Sequence, residues 1–258
     1  MHVRFIPMRW GSGDNYCYVI TDSQSKDSWI IDPAEPDDIV PTLEKLSNDI
    51  SLKAIVNTHH HWDHSNGNKF FSIKYKGLPI IAGKDSPLVT YTPSHNEVIQ
   101  LGTNIEIKAL HTPCHTQDSI CYYAIDKQTN EKCVFTGDTL FTSGCGRFFE
   151  GTAKEMNKCL NDILSSLPDD TVVYPGHEYT ASNCNFSLKV MPRNKELQEL
   201  AKFANKHEFA TGHFTIKDEK LFNPFFRLNK DKEVVDFCKG LADPIQIMDF
   251  LRTAKNNS

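Results

Sequence analysis

The sequence predicts an α/β (α+β) protein built as a strand-rich body followed by a helical tail. Up to about residue 178, short runs rich in β-branched and aromatic residues alternate with loops and amphipathic stretches, and several end in Gly, Asp or His. Beyond that point apolar residues recur at helical spacing instead. A chain of 258 residues suits one large domain or a domain with a smaller companion. We divide it at 1–178 and 179–258.

The elements follow in order. Val3 to Met8, Cys17 to Ile20 and Ser28 to Ile31 read as strands, and Ile39, Val40, Leu43 and Leu46 mark an amphipathic helix over 36–47. Ala54 to Asn57, Pro79 to Ala82, Ile105 to Leu110, Ser119 to Ile125, Cys133 to Thr136 and Thr171 to Tyr174 read as further strands. Met156, Leu160, Ile163, Leu164 and Leu167 predict a helix between the last two. In the tail, Leu197, Leu200, Ala201 and Ala204 predict one helix, and Val234, Val235 and Cys238, stopped by Gly240, a second. Asp243-Pro244 reads as an N-cap and first position of a last helix carrying Ile245, Met248 and Leu251. The one strand-like run in the tail is Phe214 to Ile216.

Composition narrows the function. Hydrophobic residues make up 39% and charged residues 24%, as in a globular protein, and the net charge is −5. A sequence pI near 6.1 offers no basic footprint for nucleic acid. No apolar run approaches the ~20 residues that cross a bilayer. The N-terminus is interrupted by Pro7 too early for a signal peptide, so a cytoplasmic location is expected. The eight cysteines are scattered with no C-x-x-C pair and read as small buried residues.

The most telling segment is Thr58-His59-His60-His61-Trp62-Asp63-His64, directly after the apolar run Ala54-Ile55-Val56. Imidazole and carboxylate together suit a divalent transition metal. If the chain stays extended here, His59, His61 and Asp63 point one way and His64 another, so one segment supplies two adjacent ions. Three further donors follow strand ends: His115 in Thr112-Pro113-Cys114-His115, Asp138 in Thr136-Gly137-Asp138, and His177 in Pro175-Gly176-His177. Each alone is more often a residue bonded to nearby backbone. Together they make a set: His59, His61 and His115 for one metal, Asp63, His64 and His177 for the other, and Asp138 bridging with one oxygen to each ion.

These motifs, T-H-H-H-W-D-H, T-P-C-H-T, F-T-G-D-T-L-F and P-G-H-E-Y, resemble those of the metallo-β-lactamase-fold hydrolases. Gly144 to Thr152 (G-C-G-R-F-F-E-G-T) and the helical tail resemble the glyoxalase II, or hydroxyacylglutathione hydrolase, family. The resemblance covers essentially the whole chain. It implies an αββα sandwich with a dinuclear centre at one edge in 1–178 and a helical substrate-binding domain in 179–258.

It also implies hydrolysis of S-D-lactoylglutathione and related 2-hydroxyacylglutathiones to glutathione and D-lactate, the second step of methylglyoxal detoxification. Two divalent ions are implied, zinc first, with iron or manganese also accepted by such donors. Asp138 and Asp63 are then catalytic through the water the metals activate. A thiolate with pKa near ~8.5 leaves without a strong acid, so no further acid is required. Arg252 and Lys255 lie three apart on the last predicted helix and share a face. The resemblance maps the family's glutathione-binding basic pair onto them, where spacing alone suggests only a solvated face. It adds Arg147, Phe148, Phe149 and Tyr179 as substrate contacts. Relatives often carry tyrosine where this chain has Phe149. The expected partner is the glutathione thioester alone, with no nucleic acid and no membrane, and the protein is expected to be a monomer.

Three rival readings have sequence-level discriminators. A glutathione persulfide dioxygenase of the same superfamily, using a single iron, shares the first motif but typically lacks the helical tail. A nucleic-acid-processing metallohydrolase conflicts with the acidic balance, and a non-catalytic binding module conflicts with an intact donor set.

Overall fold

The computed structural model describes the whole chain, Met1–Ser258. It divides into two compact units, Met1–His111 with Asp118–Gly137, and Thr112–Gln117 with Asp138–Ser258.

The first unit contains strands β1 (His2–Met8), β2 (Asn15–Thr21) and β3 (Asp27–Ile31), helix α1 (Pro36–Lys45), β4 (Ser51–Val56), helices α2 (Trp62–Ser65) and α3 (Asn68–Lys74), and β5 (Ile80–Ile81). The five strands form one sheet in chain order; β1, β2 and β3 are antiparallel, whereas β4 and β5 join in parallel. The parallel joins need crossovers, which α1 and the α2–α3 segment supply. Proline at its start and Asp37 and Asp38 in its first turn favour α1, complementing the helix dipole. Its Ile39 and Leu43, with Phe71 of α3, pack on Ile6, Cys17, Val19, Ile30 and Ile55 of the sheet. Beyond it, β6 (Val98–Leu101), β7 (Ile105–His111), β8 (Ile120–Asp126) and β9 (Lys132–Gly137) run antiparallel in a second sheet. Side chains bridge the two layers: Tyr18 meets Phe135 with ring centroids 5.3 Å apart, and buried Tyr122 donates its hydroxyl to Asn57 O at 3.1 Å.

The second unit opens with the short hairpin β10 (Leu140–Phe141) and β11 (Gly144–Cys145). Helix α4 (Ala153–Asn157) follows, started by a reciprocal Thr152–Glu155 capping box. The helix predicted around 156–167 is composite, because α4 passes into a π-helical stretch at Lys158–Ile163 and a 3₁₀ turn at Leu164–Ser166. Then come β12 (Val172–Pro175), α5 (Thr180–Val190), α6 (Lys195–Ala204), α7 (Ile216–Phe222), α8 (Lys232–Phe237) and α9 (Pro244–Asn256). Asp243 caps α9 by accepting from Ile245 N, with Pro244 at its first position, as the sequence indicates.

The strand expected at Phe214 to Ile216 does not form; Thr215 makes one isolated bridge to Val172 and starts α7. Its hydroxyl accepts from Asp218 N while Asp218 accepts from Thr215 N, and this capping box outweighs the local β-propensity. The short elements β6 and α3 carry no strong periodic signal in the sequence, and neither does the longer α5. All eight cysteines are buried and none is in a disulfide. No helix is long and apolar enough to cross a membrane.

Candidate active site

In the first unit the histidine run does not stay extended. The chain turns after β4, His61 becomes the N-cap residue of α2, and Asp63 and His64 fall in its first turn. The short helix is held by His61 O, which accepts from His64 N and Ser65 N, each at 3.0 Å. Asp63 and His64 therefore take their directions from helical geometry, not from a two-residue alternation.

Asp32, just beyond β3, organises this segment and is missed by the sequence reading. It is buried, with a left-handed φ of 53°. Its Oδ1 accepts Thr58 N at 2.7 Å, and its Oδ2 accepts Thr58 Oγ1 at 2.7 Å and His64 Nδ1 at 3.0 Å. Since a carboxylate only accepts, the Thr58 hydroxyl spends its hydrogen on Asp32 and must accept from His59 Nδ1, 3.1 Å away. Both imidazoles are thus protonated on Nδ1 and present Nε2 as the donor atom, the orientation that metal-ligating histidines obtain from a carboxylate behind them. The only hint in the sequence is an aspartate closing the strand run Trp29-Ile30-Ile31. Gly137, at φ +47°, leaves room where a Cβ would meet Thr58.

His59 Nε2 and His61 Nδ1 stand 3.1 Å apart. Two nitrogens each ~2.0–2.1 Å from one ion keep a separation of roughly 3 Å, so this spacing suits a shared metal. Asn15 Nδ2 donates to Asp63 Oδ2 at 3.2 Å, with Arg9 Nη1 3.8 Å from the same oxygen, and these contacts fix the carboxylate's rotation. His60, given no ligand role in the sequence analysis, faces Asp118 Oδ1 at 2.8 Å, and these two with Asp85 form a separate group of potential metal ligands.

The second unit brings together the other three donors. His115 Nε2 and His177 Nε2 each lie 3.4 Å from Oδ2 of buried Asp138. That distance is long for a charge-assisted hydrogen bond and suits donors sharing ions. Both imidazoles face the same oxygen of Asp138. His115 Nδ1 donates to Arg147 O at 3.0 Å, leaving its Nε2 towards Asp138. The loop approaches closely at Gly146, where a Cβ would meet Asp138 O. His177 is stacked on Tyr179, centroids 4.6 Å apart and planes at 10°, with Phe141 edge-on to both rings.

Beside these donors a cavity of about 540 Å³ is lined by Arg147, Phe148, Phe149, Thr152, Arg252 and Asn256, among others. Phe149 is exposed, its ring 5.2 Å from that of His115. Arg252 is not on a solvated face: it is buried, donates through Nη1 to Cys145 O at 2.7 Å, and sits over Phe225. Lys255, half-buried, donates to Ser182 O at 3.1 Å. Burial lowers the pKa of both side chains; nearby Arg147 lowers that of Arg252 further, and Arg252 that of Lys255. Arg147 and Arg252 both line the cavity, with Asp249 beside them, and two mutually repelling cations there make a site that an anion stabilises.

Comparison with known proteins decides the family. Residues 178–258 match the hydroxyacylglutathione hydrolase C-terminus, and residues 10–177 match the metallo-β-lactamase superfamily. A probable hydroxyacylglutathione hydrolase of Schizosaccharomyces pombe is 49% identical over 257 residues, covering 99% of this chain and 98% of that protein. The chain belongs to the hydroxyacylglutathione hydrolase family. The cytoplasmic isozyme of hydroxyacylglutathione hydrolase from Saccharomyces cerevisiae is also 49% identical, over 274 residues and 99% of both chains. Among solved structures, ETHE1 from Myxococcus xanthus superposes with a TM-score of 0.67 at 24% identity, covering 98% of this chain and 97% of that one, which shows the fold alone. Hydroxyacylglutathione hydrolases are metal-dependent, and the His and Asp clusters described above fit metal binding. The architecture is accordingly the metallo-β-lactamase fold with a helical C-terminal domain, as the motifs imply.

Proposed function

We propose that this chain hydrolyses S-D-lactoylglutathione and related 2-hydroxyacylglutathiones to glutathione and D-lactate. The observation that carries the reading is the union, in one chain, of a complete imidazole and carboxylate donor set with a hydroxyacylglutathione hydrolase C-terminus. That same C-terminus favours the hydrolase over a single-iron persulfide dioxygenase.

Two divalent ions, zinc first with iron or manganese as alternatives, lower the pKa of water and polarise the thioester carbonyl when bound. His59, His61 and His115 would hold one ion, Asp63, His64 and His177 the other, with Asp138 shared between them. Asp32, Thr58 and the Arg147 carbonyl keep three imidazoles on the required tautomer. Asp138 and Asp63 would serve catalysis as holders of those ions. The glutathione thiolate, with a pKa near ~8.5, departs without a dedicated acid.

Substrate holding would fall to the domain at 179–258 and to the loop before it. Arg252 and Lys255 would take a carboxylate end of glutathione, with Arg147 adding charge. Phe148, Phe149 and Tyr179 would supply apolar contact around the peptide and beside His115 and His177. The protein would act as a cytoplasmic monomer, with neither nucleic acid nor membrane as partner.

The test is metal analysis of the purified protein alongside loss of thioester absorbance with S-D-lactoylglutathione. About two equivalents of metal per chain and metal-dependent turnover support the reading. Metal-free active protein, or oxygen uptake with glutathione persulfide in place of thioester hydrolysis, would overturn it.

A further inference from the structure

The turn between β10 and β11 has its backbone bonded to side chains from the helical part of the same unit. Asn183 Nδ2 of α5 donates to Thr142 O at 3.1 Å, and Ser187 Oγ of α5 donates to Ser143 O at 3.1 Å. Ser143 N donates to Glu219 Oε2 of α7 at 3.1 Å. Asn223 Nδ2 donates both to Gly144 O at 3.1 Å and to Glu219 Oε2 at 2.8 Å. Arg252 Nη1 of α9 completes the set on Cys145 O. All five side chains belong to buried residues. Ser143 has φ 57°, a left-handed conformation that serine keeps only where its surroundings impose it.

This turn leads directly into the residues that matter for the site. Two residues beyond Cys145, the Arg147 carbonyl receives His115 Nδ1. Arg147, Phe148 and Phe149 then line the cavity.

We propose that Asn183, Ser187, Glu219, Asn223 and Arg252 form a buried clamp, centred on Glu219, that positions segment 142–149 for both metal binding and substrate recognition. The proposal rests on the function proposed above and gives the helical domain a second task besides contacting glutathione. Glu219 is a positioning residue, since it touches neither donors nor cavity. It is central because two donors converge on its Oε2, while its Oε1 is buried without a hydrogen-bond partner.

Burial pushes the Glu219 carboxyl up to about 8, with neighbouring Asp218 adding to the rise and the bonds from Asn223 and Ser143 opposing it. Across from it on α5 the titratable group is the Cys184 thiol, itself pushed up to about 12 by burial. The acid is therefore neutral at physiological pH, and charge enters the clamp as the pH passes 8.

The experiment compares full-length wild type, Glu219→Ala and Glu219→Gln for bound metal and for KM and kcat on lactoylglutathione, from about pH 6 to 9. Glu219→Ala strands Ser143 N and the Asn223 amide, so it should carry less metal and show KM raised roughly tenfold. Glu219→Gln, which keeps a carbonyl oxygen for both donors, should recover metal content and KM. The rise of wild-type KM above pH 8 should be absent in Glu219→Gln. Folded Glu219→Ala with full metal and wild-type KM overturns the proposal. If Glu219→Ala does not fold, identical pH profiles for wild type and Glu219→Gln overturn it. Wild type inactive on lactoylglutathione would refute the assigned function instead, and metal content alone would then judge the clamp.

Discussion

His64 Nδ1 donates to Asp32 Oδ2 across 3.0 Å, and the same oxygen receives the Thr58 hydroxyl at 2.7 Å. One buried carboxylate thereby sets the tautomers of His59 and His64. Replacing it by Asn preserves a side chain that tolerates the left-handed backbone at this position. It also presents an amide hydrogen where only acceptors fit. Asp32→Asn should weaken metal retention by about 10–100-fold against a chelator, with the fold intact by circular dichroism. Unchanged chelator resistance would show that the tautomers are set by other contacts.

Asp138→Ala removes the one oxygen that both His115 and His177 face. Less bound metal per chain and no measurable thioester hydrolysis are expected. Wild-type turnover would be fatal to the bridging role.

Charge reversal at Arg252 and Lys255 should raise KM for glutathione thioesters far more than for a small neutral thioester. Because Arg252 also bonds Cys145 O, Lys255→Glu alone is the cleaner probe of substrate charge. Equal effects on both substrates would argue that the pair does not touch glutathione.

Phe149→Tyr places a hydroxyl on an exposed ring beside His115. A new neutral hydrogen bond to the glutathione backbone is worth ~0.5–1.5 kcal/mol, so KM should fall by up to several-fold with kcat little changed. No change in KM would mean that the ring lies out of reach of the peptide.

Glu219 links stability to pH. Its carboxyl ionises near 4.5 when unfolded and at about 8 when folded. The folded state holds the proton more tightly, so this group's stabilising contribution is full below about pH 4.5 and is lost as the pH climbs through 8. In urea titrations, Glu219→Gln should gain on wild type across that window, by up to a few kcal/mol. A constant difference between the two proteins would contradict the shifted carboxyl.

The candidate donor residues are legible in the sequence because metal chemistry narrows the choice of side chain and strand ends narrow its place. His59, His61, Asp63, His64, His115, Asp138 and His177 could all be named that way. What holds them was not legible. Asp32 lies 27 residues from His59 along the chain, and a lone aspartate after a strand carries no signal of the histidines it serves. The Phe214 to Ile216 run is strand-like in the sequence, but the capping box between Thr215 and Asp218 overrides β-propensity there.

The sequence by itself determined the change from strands to helices and the family, and it named the candidate donor set. Those are local matters of residue type and period. Only the tertiary structure decided that Arg252 is buried against Cys145, that a single Asp138 oxygen faces both histidines, and that Glu219 sits neutral beneath the β10–β11 turn. Each depends on burial and on partners distant in sequence, and desolvation acts on a side chain only once the fold has removed it from water.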